Sequence, residues 1–118
     1  MSEEKIRLLL VDDHAMVREG LRALLEAQTD LDVVEEAKTG QEAVDMVRQH
    51  RPDIVLMDVT MPLMNGIEAT QTIVAMGLGT RVLGLTVHEN PEYFFRMLAA
   101  GASGYILKGE TSAELVGA

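Results

Sequence analysis

At 118 residues, 47% of them hydrophobic and none cysteine, the chain has the size of one domain with a buried core; disorder, a disulfide framework and a thiolate metal site are excluded. No apolar run approaches a membrane span and no basic leader with a cleavage site opens the chain, so a cytoplasmic protein with no membrane contact is expected. The formal net charge of −9 repels nucleic-acid phosphates, and no basic stripe or aromatic stacking platform offsets it, so any DNA binding needs a segment outside this chain.

Strand-like and helix-like segments alternate along the sequence. Residues 6–11 are a short apolar run that ends on Asp12 and Asp13, which reads as a buried strand. Residues 15–26 place Met16, Val17, Leu21, Leu24 and Leu25 at helical spacing. Residues 31–37 mix Val33 and Val34 with Asp32, Glu35 and Glu36, as suits a charged edge strand. A helix over 41–50 turns Ala43, Val44 and Val47 inward and stops before Pro52. A second buried strand, 54–57, ends on Asp58. The loop 61–66, punctuated by Pro62, Asn65 and Gly66, leads into a helix over 67–76 that Gly77 and Gly79 break. A strand over 81–85, a helix over 91–100 and a strand over 105–107 follow. Thr111 or Ser112 would cap a last helix cut short at Ala118, too short to be stable without tertiary packing. Five βα units in strict alternation predict one α/β domain over residues 1–118, with a parallel sheet between layers of helices.

In such a sheet the strand carboxyl ends share one edge, where ligands bind. Asp12, Asp13 and Asp58 then meet in one crevice. Like charges that close repel unless a cation joins them, and oxygen-only donors suit a hard ion such as Mg²⁺. On position alone, Asp13 also reads as the N-cap of the first helix and Asp58 as the cap of a turn. Likewise Lys108 reads as a surface lysine and Thr86 as a β-branched strand former. His14, His50 and His88 share no helical face and lack zinc-ligand spacing. Met57, Met61 and Met64 read as gap fillers. Tyr93, Phe94, Phe95, Met97 and Leu98 spread wider than one buried stripe, which reads either as one phenylalanine facing a partner or as a helix packed from two sides. Gly84 interrupts its strand and should loosen it beside Thr86.

Four pieces, each at the end of a predicted strand, carry a resemblance: Val11-Asp12-Asp13-His14, Asp58-Val59-Thr60-Met61-Pro62 with Asn65-Gly66, Thr86, and Tyr105-Ile106-Leu107-Lys108. Together they resemble a response-regulator receiver domain of two-component signalling. Val17-Arg18-Glu19-Gly20-Leu21 and Ala100-Gly101-Ala102-Ser103-Gly104-Tyr105 further resemble the subfamily with a C-terminal LuxR-type helix-turn-helix domain.

The resemblance implies a flavodoxin-like, doubly wound sheet of five parallel strands in the order 2-1-3-4-5. It implies Asp58 as the phospho-acceptor nucleophile. It implies Mg²⁺ on Asp12 and Asp13, helped by the Asp58 carboxylate and the Thr60 backbone carbonyl. Lys108 would pair with the phosphate, the Thr86 hydroxyl would bond a phosphoryl oxygen, and Tyr105 would be the aromatic switch. Thr60 and His88 occupy positions that tune phosphoryl lifetime in relatives. Gly109 stands where many relatives have proline, which weakens the expectation of a cis peptide there.

The implied partners are a sensor histidine kinase, a second copy on phosphorylation, and a DNA-binding output domain outside this chain that regulates transcription. The implied role is signalling, with self-catalysed phosphorylation and slow dephosphorylation as the only chemistry. A haloacid-dehalogenase-type phosphohydrolase is the enzymatic alternative, but it needs a second acid two residues past its nucleophile, where Thr60 stands. A non-phosphorylated interaction module usually loses an acidic-pair residue or the lysine, and this chain keeps all three.

Overall fold

In the computed structural model the elements are β1 (Ile6–Val11), α1 (Ala15–Glu26), β2 (Leu31–Ala37), α2 (Gly40–His50), β3 (Ile54–Asp58), α3 (Gly66–Ala75), β4 (Arg81–Thr86), α4 (Pro91–Ala99) and β5 (Gly104–Leu107). The structure describes residues 5–58, 66–86 and 91–107, with backbone alone at 86, 91–94 and 105–107. The strands form one parallel sheet in the order β2-β1-β3-β4-β5, as expected. Element ends differ from expectation by a residue. β3 and β4 each run one residue further because Asp58 pairs with Leu85 and Thr86 with Leu107. The expected last helix lies outside the described residues.

Side-chain alternation sends each strand residue to one face of the sheet or the other. Leu8, Leu10, Val33, Leu56 and Leu85 pack with Leu21 and Leu25 of α1. On the opposite face, Leu9, Val11, Val55, Met57 and Val82 pack with Val44 and Val47 of α2, Ile73 of α3 and Met97 of α4. Removing these side chains from water holds the helices to the sheet. The stripe on α1 is narrower than its spacing predicts. Val17, Leu21 and Leu25 face the sheet, whereas Met16 is 84% and Leu24 47% exposed. At about 100° per residue, Met16 lies about 140° around the helix from Leu21, too far to reach the core.

A slip in the pairing of β1 with β2 orients everything that follows it. Leu8 pairs with Val33 but Leu9 with Glu35, so Val34 is an extra residue in β2. Because side chains alternate with period 2, one extra residue exchanges the faces of all later ones. Val33 therefore packs on the α1 face, and Ala37, four residues later, on the other. The same exchange turns Glu36 toward α1. Glu35 turns toward α2, where its Oε2 lies 4.0 Å from Nε2 of His50.

The start of α2 is capped from two directions. Thr39 Oγ1 accepts from the Glu42 amide at 3.1 Å, and Glu42 Oε1 accepts from the Lys38 amide at 2.8 Å. Arg51 in the left-handed region (φ 46°), followed by Pro52, ends it.

Candidate metal and phosphoacceptor site

Strand register builds the site. β1 and β3 are parallel neighbours with Val11 paired to Met57, so the next residues, Asp12 and Asp58, stand side by side at the carboxyl edge. Asp12 is 1% and Asp58 0% exposed, while Asp13 and His14 are open to solvent. One ligand atom from each of Asp12, Asp13, His14 and Asp58 lies within 4.8 Å of the others. Buried carboxylates this close need positive charge among them. The three carboxylates offer oxygen donors, which fit a hard divalent cation such as Mg²⁺, and the His14 imidazole lies at the solvent side.

Asp12 is held at its amide, its carbonyl and one carboxylate oxygen. Its amide donates to the Ala37 carbonyl at 3.1 Å. Its own carbonyl accepts from Arg18 Nη1 at 2.7 Å. Its Oδ1 accepts from the His14 amide at 2.9 Å and lies 2.8 Å from His14 Nδ1. The same imidazole nitrogen is 3.1 Å from Asp13 Oδ1. His14 is the N-cap of α1, with no side-chain cap bond. The reading of Asp13 as N-cap is therefore corrected. Asp12 takes the amide at the helix start, in an Asx-type turn, and the Asp13 carboxylate belongs to the acidic cluster.

Behind the loop, Glu36 links β2 to α1. Its Oε1 accepts from Arg18 Nε at 3.0 Å and its Oε2 from Arg22 Nη1 at 2.6 Å. The hydrogen bond from Arg22 holds the Glu36 carboxyl below the usual carboxylate range; Arg18 adds to the effect and partial burial opposes it. The same bond raises the Arg22 guanidinium. Sequence reasoning missed this trio. Arg18 and Glu36 are far apart in the chain, and their meeting depends on the extra residue in β2, which no glycine marks.

The remaining predicted residues divide by position. Thr86 closes β4 at the same sheet edge, one residue beyond the level of Asp58. Tyr105 pairs with Gly84, and Gly84 with Met57, so the ladder is unbroken at that glycine. The side chains of Thr86 and Tyr105, and Lys108, Thr60 and His88 altogether, lie outside the described residues. His50 ends α2 at the opposite edge of the sheet, away from the acidic cluster. Met57 is core, and Phe95 is exposed on α4 beside buried Met97.

Residues 8–118 match the family described as the response regulator receiver domain. The chain belongs to that family. This receiver domain is 42% identical over 118 residues to the transcriptional regulatory protein YxjL of Bacillus subtilis (strain 168), covering 100% of this chain and 54% of that protein. It is 38% identical over 108 residues to the transcriptional regulatory protein DegU of Brevibacillus brevis, covering 92% and 46%. The signal receiver domain of the response regulator NarL from Mycobacterium tuberculosis superposes with a TM-score of 0.92 at 36% identity, covering 97% of this chain and 92% of that one. A LuxR-family two-component response regulator from Aurantimonas sp. SI85-9A1 superposes with a TM-score of 0.91 at 43% identity, covering 98% and 82%. The receiver domain spans about half the length of the curated relatives it matches. Its role is in signalling rather than in metabolic catalysis. No described helix is long and apolar enough to cross a membrane.

Proposed function

We propose that the domain, residues 1–118, is a phosphorylation switch whose acceptor is Asp58. The observation that carries this reading is the convergence of the Asp12, Asp13 and Asp58 carboxylates within 4.8 Å at the carboxyl edge of the sheet. An Asp58 oxygen attacks the phosphorus of a phosphohistidine on a sensor kinase. A P–O bond forms as the P–N bond breaks, the imidazole leaves and takes up a proton, and an acyl phosphate remains on Asp58. Asp12, Asp13 and Asp58, with the Thr60 carbonyl, would hold Mg²⁺. Such an ion, when bound, neutralises charge on the transferring phosphoryl oxygens. Slow attack of water on the phosphorus of the acyl phosphate releases inorganic phosphate and returns the free carboxylate, at a rate that Thr60 and His88 tune.

Lys108, as a mobile point charge, pairs with the Asp58 carboxylate before transfer and with phosphoryl oxygens after it. The Thr86 hydroxyl donates to another phosphoryl oxygen. Both residues follow or close strands at the site edge, so drawing them inward shifts the ends of β4 and β5 and reorients Tyr105. The change is a population shift, as large as the differential affinity of the phosphate for the two states. Its outputs are altered contacts at the face of α4 and β5, where Phe95 is exposed, a homodimer, and control of transcription in the cytoplasm through a DNA-binding domain outside this chain.

Borohydride reduces an acyl phosphate to an alcohol and leaves a free carboxylate intact. After incubation with acetyl phosphate and Mg²⁺, reduction and peptide mapping are expected to find homoserine at position 58. Homoserine at another acidic position would contradict the assignment. None at any position would favour a non-phosphorylated interaction module.

A further inference from the structure

The aim of a carboxylate ligand is only as good as that of the backbone that carries it. The peptide that joins Asp12 to Asp13 is held by one side chain, since its carbonyl oxygen accepts from Arg18 Nη1 at 2.7 Å. On the other side of Asp12, its amide is fixed to β2 through the Ala37 carbonyl. Rotation of the 12–13 peptide would re-aim the Asp13 carboxylate, and the Arg18 contact opposes that rotation.

Arg18 is itself fixed. Its side chain is 11% exposed, and its Nε donates to Glu36 Oε1 at 3.0 Å. Glu36 is held in turn by Arg22, at 2.6 Å on the other carboxylate oxygen. A guanidinium held at the Asp12 backbone would otherwise be drawn toward the acidic cluster and compete with a cation. The bond to Glu36 keeps it on the carbonyl side of Asp12. The planar fork of arginine makes both contacts from one rigid group, which the single ammonium of lysine does not.

We infer that Arg18 is a positioning residue for cation binding, which acts on the Asp12–Asp13 peptide through the Asp12 carbonyl and is itself set by Glu36. This rests on the reading of Asp12 and Asp13 as Mg²⁺ ligands. The extra residue in β2 gains a functional meaning from it, because that residue turns Glu36 toward α1.

Calorimetric titration with Mg²⁺, at a temperature where every variant is folded, separates this role from a purely structural one. The set is the unsubstituted chain, Arg18→Ala, Arg18→Lys, Glu36→Gln and Asp13→Asn. Arg18→Ala is expected to raise the Mg²⁺ Kd about tenfold, as loss of an outer-shell partner does. Arg18→Lys is expected to recover little of it, and Glu36→Gln to lose affinity in the same direction but less. With acetyl phosphate, Arg18→Ala should need more Mg²⁺ yet approach the unsubstituted phosphorylation rate at saturation. If Arg18→Ala does not fold, Arg18→Lys and Glu36→Gln carry the test. Folded Arg18 variants with a lowered Tm but an unchanged Kd would overturn the inference and leave the Mg²⁺ site standing. Equal binding by Asp13→Asn, or no binding by the unsubstituted chain, would remove the Mg²⁺ site itself and the inference with it.

Discussion

Glu36 stands between Arg18 and Arg22, and its titration should be visible in stability. Arg22 and then Arg18 lower its folded-state pKa below the ordinary value. A carboxyl depressed in this way adds stability that is present above its unfolded pKa and lost as pH falls through the folded one. Glu36→Gln should therefore destabilise the domain by about 1 kcal/mol near neutral pH, and the deficit should shrink toward zero below about pH 4. Urea unfolding of both chains across that range checks it, and a deficit independent of pH would contradict it. At this scale the carboxylates were legible in advance, because Asp12, Asp13 and Asp58 each terminate a short apolar run. The groups that orient them were not. Val33 and Val34 look alike as strand residues, and nothing in the sequence says which is the extra one that sends Glu36 to the α1 face.

The elements were legible because their hydrophobic period is strong, and their errors have geometric causes. A spacing argument accepts neighbours three and four apart on either flank, so Leu24 joined the α1 stripe although the sheet contacts centre on Leu21 and Leu25. β3 and β4 run one residue past their apolar runs: Asp58 and Thr86 look like polar residues after a strand, whereas parallel pairing continues through both. Burial, not apolar character, should then set the cost of truncation. Leu9→Ala, at the centre of β1 and 1% exposed, is expected to cost about 2–5 kcal/mol. Leu24→Ala, half exposed on α1, is expected to stay within about 0.5 kcal/mol of the parent. Denaturant unfolding of the pair decides this, and equal losses would contradict the assignment of faces.

For the whole molecule, the strand order places the ends of β1 and β3 together at the centre of the sheet, with β4 beside them. A doubly wound sheet gathers ligands at such an edge, and here it gathers acids from two strands that are far apart in the chain. The net charge of −9 makes the domain a poor partner for DNA and a good one for a cation or a basic protein surface. On the proposed reading, the acidic cluster takes up a phosphoryl group with the help of Mg²⁺. Intact-protein mass after incubation with acetyl phosphate, with and without Mg²⁺, on this chain and on Asp58→Asn, tests it most directly. A gain of one phosphoryl group is expected only where both Mg²⁺ and Asp58 are present. The same gain on Asp58→Asn, or a gain unaffected by removal of Mg²⁺, would contradict it.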